Sequence, residues 1–228
     1  MQNKTPLLLC SAALLLSSCT TTTEIINQRL ASIPEAERAY VIGTYAVDCM
    51  PRNSRCPHAF NSISTHYRNV TDKEVRGRWN WTTGSMFGSD TVHDYVLPDR
   101  QEKGYHFCLA LPPGKYEVYT YDFYNFAGGG SGFSIREEGQ FKLPFTLSAG
   151  EVTDLGKLHI TTSTGKNFFG MTLPAPGVLL LSKSLPETSG AALSKCPPGV
   201  RSRAIRDSAL VASGYSPSPF VRSQATRP

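Results

Sequence analysis

Several sequence patterns that mark enzymes and metal sites are missing from this chain. It has no His-Glu-x-x-His and no Cys-x-x-Cys, which argues against zinc hydrolases and structural zinc sites. It also lacks Gly-x-Ser-x-Gly, the nucleophile elbow of α/β-hydrolases. The glycine-rich residues 128–132 are followed neither by a helical pattern nor by a lysine at P-loop spacing. We therefore interpret them as a hairpin tip.

Charge is sparse, and internal repeats and long apolar runs are absent. Charged residues make up 18% of the 228 residues and apolar residues 40%, which is enough for a sizeable core and unlike a disordered chain. The formal net charge is +5. The apolar run at 7–16 is too short to cross a bilayer as a mature helix. This composition predicts one domain of sandwich size with a tail, or at most two small domains.

The N-terminus has the pattern of an export signal. Lys4 precedes the apolar run, and Leu16-Ser17-Ser18-Cys19 resembles the lipobox of bacterial lipoproteins. That resemblance implies that residues 1–18 are removed and that Cys19 is the lipidation site, carrying diacylglycerol and often palmitate. Because no aspartate follows Cys19, it implies a lipid-anchored protein on the periplasmic face of the outer membrane. The alternative is an ordinary secretory signal with a chance cysteine.

Four cysteines remain after the leader: Cys49, Cys56, Cys108 and Cys196. An even number in an exported chain indicates two disulfides, with three possible pairings. We favour Cys49–Cys56, which are near in sequence, together with Cys108–Cys196. Free buried thiols are the alternative.

The centre of the chain, residues 105–160, alternates between apolar and polar residues with a period of two, as half-buried strands do. Such stripes flank Pro112-Pro113-Gly114 and the turn at 148–151, so we predict two hairpins. Aromatic residues at both parities of 115–126 indicate a strand covered on both faces or one with a bulge. Pro144 lacks a ladder donor, which predicts an edge or a bulge.

Further strands are predicted over residues 40–49, 60–70, 75–83, 93–97 and 177–182, with short helices over 24–38 and 187–195. Trp79 and Trp81 share a strand face, which is typical of a core. The predicted organisation is a signal peptide (1–18), a lipidated tether with a short helix (19–38) and a β-sandwich domain (39–182). An extension packed on the sandwich (183–212) and a disordered basic tail (213–228) follow.

A family resemblance supports this fold class. Residues 111–118, LPPGKYEV, and residues 145–160, with Gly150-Glu151-Val152 and Leu155-Gly156, resemble the transthyretin-like or prealbumin-like modules of bacterial envelope lipoproteins. The resemblance implies a mainly β protein with an antiparallel, transthyretin- or immunoglobulin-like β-sandwich and one or two short helices.

The five histidines lack the spacing of a metal or catalytic site. Cys56 and His58 offer sulfur and nitrogen, but a disulfide removes the thiolate that a metal needs. His93 and Asp94 are adjacent, so on a strand they point to opposite faces. His106 and His159 are interpreted as solvent-facing or satisfied. We predict no catalytic residue, no cofactor and no metal site.

The sequence thus favours a non-catalytic binding or assembly module of the cell envelope. A solvated tail is the simpler interpretation of the basic residues of 195–228, and the alternative is that they bind an envelope protein or an anionic envelope polymer. An exported chain has little opportunity to meet nucleic acid, so we predict no nucleic-acid partner. The second hypothesis is an envelope hydrolase or small-ligand carrier with a site in loops 84–94 and 126–134. Its pocket would be lined by His93, Asp94, Tyr119, Tyr121 and Phe123.

Overall fold

The computed structural model describes residues 21–49, 60–82, 93–100, 102–126, 132–136, 142–166, 168–210 and 221–223. The helices are α1 (Thr22–Ala31) and α2 (Pro186–Leu193). The strands are β1 (Ala39–Cys49), β2 (Phe60–Asn69), β3 (Arg76–Thr82), β4 (Tyr95–Leu97), β5 (Glu102–Leu111), β6 (Gly114–Phe126), β7 (Gly132–Arg136), β8 (Leu143–Leu147), β9 (Val152–Lys166), β10 (Thr172–Ser182), β11 (Ile205–Asp207) and β12 (Val221–Ser223). The protein is mainly β.

Within these ranges the strands form a large sheet and a small sheet. The large sheet has the order β12-β10-β9-β1-β5-β4, with β11 paired to β9 beyond the end of β10. The small sheet has the order β3-β2-β6-β7, with β8 paired to the first half of β6. Buried side chains from both sheets form one core between them, so the architecture is a sandwich.

The expectation of purely antiparallel pairing is wrong for the large sheet. Central β1 pairs antiparallel with β5 but parallel with β9, and β10–β12 and β11–β9 are also parallel. Apolar alternation reports which face of a strand is buried and carries no information on its direction relative to its neighbours. The small sheet is antiparallel in every described pair.

The two predicted hairpins are wrong as well. Strand β5 belongs to the large sheet and β6 to the small sheet, so the turn at Pro112-Pro113 carries the chain from one sheet to the other. The turn between β8 and β9 does the same in reverse. Proline and glycine mark a reversal of the chain, but a reversal can join two sheets as readily as two neighbouring strands.

Of the two explanations offered for the aromatic strand, coverage on both faces or a bulge, the structure shows the register shift of a bulge. Tyr116 and Val118 face the core, and after the register shift opposite His66 and Tyr67 the buried residues become Tyr121 and Phe123. One extra residue shifts the inward-facing positions from even-numbered to odd-numbered residues. This explains why aromatic residues occur at both kinds of position. Pro144 also lies where it was expected, because β8 pairs only with β6 among the described strands.

The core between the sheets contains both tryptophans, as predicted, with Trp79 3% and Trp81 4% exposed. Trp79 stacks on Tyr67 and Phe107, with ring centroids 4.5 and 5.6 Å apart. Helix α1 is capped by Thr21 and packs Ile25 and Ile26 against this core. It ends at Ala31, earlier than predicted, because the chain turns ahead of Pro34.

The C-terminal extension covers part of the outer face of the large sheet. Ala192, Cys196 and Val200 form a second buried cluster with Tyr40 and Ile42 of β1. A disulfide joins Cys196 to Cys108 of β5, one of the two pairings that the sequence favoured. The other pairing, Cys49–Cys56, lies outside the described side chains. Strand β1 is therefore buried on both faces.

The tail that was predicted to be unordered contributes strand β12, which pairs parallel with Leu179–Leu181 of β10. The prediction is wrong for these three residues, because proline and serine content does not reveal that a neighbouring edge offers unpaired backbone groups. Residues 211–220 and 224–228 lie outside the described ranges.

Candidate functional site

A group of polar side chains gathers on the outer face of the large sheet, beside the part that α2 covers. Neighbouring positions of β5, β1 and β9 supply most of it, since His106 pairs with Thr44 and Thr44 with Lys157 in the sheet register. Strands of one sheet place such partners on the same face. We call the group the outer-face cluster: Thr44, Asp48, Asp94, Tyr95, Glu102, His106, Lys157, His159 and Lys195.

Glu102 is the most deeply buried carboxylate of this cluster, with 3% of its side chain exposed. Its Oε1 accepts from Lys157 Nζ at 2.5 Å and from the Tyr95 hydroxyl at 2.8 Å. Burial raises the pKa of Glu102, but the hydrogen bond and charge of Lys157 outweigh it, so the pKa lies below its usual range. Glu102 is therefore ionised at neutral pH.

Tyr95 lies flat over Gly104 and closes the cluster at one side. A Cβ atom at residue 104 would stand 2.0 Å from carbons of the Tyr95 ring, so only glycine leaves room for it. Burial, followed by the charge of Glu102, raises the pKa of the Tyr95 hydroxyl. The hydroxyl stays protonated and serves as a hydrogen-bond donor.

His106 faces the fully buried Thr44, with Nδ1 2.9 Å from Thr44 Oγ1. Burial lowers the pKa of His106, an effect that the nearby Asp94 charge opposes only in part. The imidazole is consequently neutral at pH 7.

Asp94 links this cluster to the C-terminal extension. Its Oδ2 accepts from the backbone N–H of His106 at 2.7 Å, and its Oδ1 accepts from Lys195 Nζ at 2.5 Å. Burial raises the pKa of Asp94, but the hydrogen bonds from Lys195 and His106 outweigh it and hold the pKa below the ordinary value. Lys195 precedes the disulfide-bonded Cys196, so ion pair and disulfide fasten the same segment.

His159 and Asp48 complete the cluster, with Nε2 and Oδ1 3.3 Å apart. His159 is 7% exposed. Contrary to the solvent-facing alternative in the sequence interpretation, both strand histidines are thus buried. His106 hydrogen-bonds with Thr44, whereas His159 Nε2 lies near Asp48 Oδ1 without a hydrogen bond. No group of three or more potential metal-ligating residues occurs in the part of the chain that the structure describes.

This arrangement suits a structural network better than a catalytic one. A hydroxyl beside a neutral imidazole resembles a nucleophile with its base, but Thr44 is 0% exposed, so a substrate has no route to its oxygen. The two central carboxylates, Glu102 and Asp94, each have a lysine partner. The network joins three strands to the extension.

The pocket of the second hypothesis does not form from its described residues. Asp94 belongs to the outer-face cluster and His93 is exposed, whereas Tyr121 and Phe123 lie in the core between the sheets. Tyr119 is on the other side of the small sheet, under the guanidinium of Arg68 at 4.6 Å. Cys56, His58, residues 84–92 and residues 127–131 lie outside the described ranges.

Sequence reasoning missed Glu102, Lys157 and Tyr95. A signal existed, since Glu102 and Lys157 sit within strands whose other residues are mostly uncharged. Their proximity was not visible, because it depends on the parallel pairing of β1 and β9.

The basic residues of the extension make contacts within the chain itself. Arg203 donates to the carbonyls of Arg38 and Glu35 and lies over the Tyr40 ring at 5.3 Å. Arg201 donates to the carbonyl of Cys196. Arg203 thus fastens the extension to the rest of the chain, and Arg201 stabilises the extension internally.

Comparison with known proteins yields little. No protein-family model and no curated protein matches the sequence. A leucine-rich repeat protein from Bacteroides thetaiotaomicron is similar over 57% of this chain at 14% identity, with a TM-score of 0.31. The match spans 14% of that protein's length. Among the helices in the described ranges, none is long and apolar enough to cross a membrane.

Proposed function

We propose that this chain is a lipid-anchored protein of the bacterial envelope, held on the periplasmic face of the outer membrane through Cys19. In this proposal the sandwich is a non-catalytic module that binds or assembles envelope proteins. The transthyretin-like character of the sandwich belongs to the proposal too, resting on the resemblance of residues 111–118 and 145–160.

The observation that carries the proposed location is the disulfide between Cys108 and Cys196. Structural disulfides persist in oxidising compartments such as the periplasm and are rare in the bacterial cytosol. The disulfide thus agrees with an exported chain, and the lipobox at 16–19 supplies the signal for export and acylation. Two or three acyl chains on one residue would anchor firmly, where a single chain is marginal.

The position of α1 supports a folded domain held close to the proposed lipid anchor at Cys19. Only Thr20 separates Cys19 from Thr21, the N-cap residue of α1. The helix is fixed to the sandwich by Ile25 and Ile26 and by two salt bridges from Arg29, each of 3.1 Å. An acylated Cys19 would therefore leave little slack between membrane and folded domain.

The non-catalytic part of the proposal rests on the outer-face cluster. The Thr44 hydroxyl is inaccessible, and the carboxylates of Glu102 and Asp94 each pair with a lysine. The network therefore holds the strands and the extension in place. Such a rigid scaffold is suited to presenting loops to a partner.

The test is metabolic labelling of the full-length protein with palmitate in bacterial cells. Cys19→Ala is expected to abolish the label, whereas Cys10→Ala, within the leader, is expected to retain it. Density-gradient fractionation should place the labelled protein with outer-membrane markers. Persistent label in Cys19→Ala, or label that depends on Cys10, would contradict the proposal.

A further inference from the structure

The hairpin of β9 and β10 carries the most exposed apolar side chains among the described residues. Phe168 is 98% exposed, Phe169 80% and Met171 55%. The two phenylalanine rings pack edge to face with centroids 5.7 Å apart. Monomeric proteins seldom expose contiguous apolar side chains of this size without an interaction partner.

This tip stands beyond the sheet that supports it. Within the described residues, strand β1 pairs with β9 as far as Thr162, whereas β9 and β10 remain paired to Lys166 and Thr172. Four further residues of paired strand extend the hairpin by about 13 Å. A Cβ atom added at Gly170 would meet nothing within 4 Å. The apolar residues therefore form a convex knob.

Charge near the tip has one sign along the chain. The sequence has no acidic residue between Asp154 and Glu187, and Lys166 lies two residues before Phe168. A lysine close to exposed aromatic residues, without a neighbouring acidic residue in the sequence, is compatible with the interface of an anionic bilayer. The backbone groups that β9 and β10 turn toward each other are paired, and the outward-facing groups remain hydrated because only the turn inserts.

We propose that the tip, Phe168, Phe169 and Met171, inserts into the interfacial region of a bilayer that contains anionic lipids. A convex apolar knob needs a deformable medium, and a lipid interface accepts one without a preformed pocket. The insertion is shallow, since the proposed inserting residues lie within the short span 168–171. It rests on the tip alone and does not require acylation of Cys19.

The test uses the full-length Cys19→Ala protein, which cannot be acylated at residue 19. The result therefore tests insertion of the tip independently of the proposed lipid anchor. Co-sedimentation is measured with vesicles of phosphatidylethanolamine and phosphatidylglycerol, and with phosphatidylcholine vesicles. Replacing both Phe168 and Phe169 by serine is expected to lower partitioning into phosphatidylglycerol vesicles at least about tenfold. The control removes the same number of exposed apolar side chains elsewhere, with Val70→Ser and Leu185→Ser, and is expected to partition like its parent.

Position is tested by Phe168→Trp and Leu185→Trp in the same background, with brominated phosphatidylglycerol as quencher. Trp79 and Trp81 are buried in the core and provide a constant background. Quenching of the Phe168→Trp variant but not of the Leu185→Trp variant supports insertion. Equal partitioning of the tip and control variants, or unquenched fluorescence of Phe168→Trp, overturns it. Self-association in the absence of lipid that is lost in the tip variant would overturn it as well, because the occupant would then be a second copy.

Discussion

Lys157 on β9 donates to Glu102 on β5 across the intervening strand β1, with Nζ and Oε1 2.5 Å apart. The Lys157 side chain is 22% exposed and that of Glu102 3%. A carboxylate so far from water is ionised only because a cation meets it, and the pair therefore ties together strands that are not direct neighbours.

Lys157→Met should destabilise the protein by about 3 kcal/mol, because the Glu102 carboxylate remains buried without its cation. Urea unfolding followed by tryptophan fluorescence measures the change. Adding Glu102→Gln to Lys157→Met should recover part of the loss, since the uncompensated charge disappears. The control Lys183→Met breaks the exposed pair with Asp207 and should cost less than about 1 kcal/mol. Equal effects of the two lysine variants would contradict the role of Glu102.

Acidification should weaken the fold in two separate pH ranges. The pKa of His106 is lowered in the folded state, so the unfolded chain takes up its proton first, and stability falls as the pH drops below about 6.5. The pKa values of Glu102 and Asp94 are also lowered, so their contribution is present above about pH 4 and is lost as the pH falls through their folded values.

His106→Asn keeps an oxygen that can accept from Thr44 and removes the titrating ring. Urea midpoints measured between about pH 7.5 and 5, the range in which a histidine titrates, should then change less than in the parent protein, while the loss below about pH 4 persists. If the urea midpoint changes with pH between about 7.5 and 5 as steeply as in the parent protein, the titrating group is not His106.

Removing the disulfide with Cys108→Ala and Cys196→Ala should cost about 2–5 kcal/mol, because the bond closes a long loop with a sequence separation of 88. It should also free the extension, and trypsin should then cut first at Arg201 or Arg203. Unaltered protease resistance would mean that Lys195, Arg203 and the cluster around Ala192 hold the extension without the bond.

Gly104→Ala should destabilise the fold by about 2 kcal/mol, since the new methyl group would overlap the Tyr95 ring and displace its hydroxyl from Glu102. Gly190→Ala in α2 meets no atom within 4 Å and should stabilise the protein by about 0.5–1 kcal/mol. Thermal unfolding of both variants checks the contrast. A neutral Gly104→Ala would show that Tyr95 moves aside freely.

The sequence predicted correctly those features that depend on a single side chain and on the strand face to which it points. Trp79 lies in the core, Pro144 on a strand with one described partner, and the double aromatic parity of β6 comes from a bulge. Each follows from local sterics and burial, which a single segment already expresses.

Relations between distant segments could not be derived in this way. The pairing of Lys157 with Glu102 depends on β1 lying between β9 and β5, which no periodicity encodes. The turn at Pro112-Pro113 looks the same in sequence whether it closes a hairpin or joins two sheets. The sequence shows that residues 168 and 169 are apolar. It does not show that they are exposed, because their exposure depends on how far the β9–β10 hairpin extends.

The position of β1 also bears on the kinetics of folding. The first described strand lies in the middle of the large sheet, and its parallel partner begins only at Val152, so this pairing closes a very long loop and is expected to form slowly. A polypeptide built in this order cannot complete its large sheet until β9 has been synthesised. On the proposal that the chain is exported, late closure of this sheet would favour passage through a translocation channel ahead of folding.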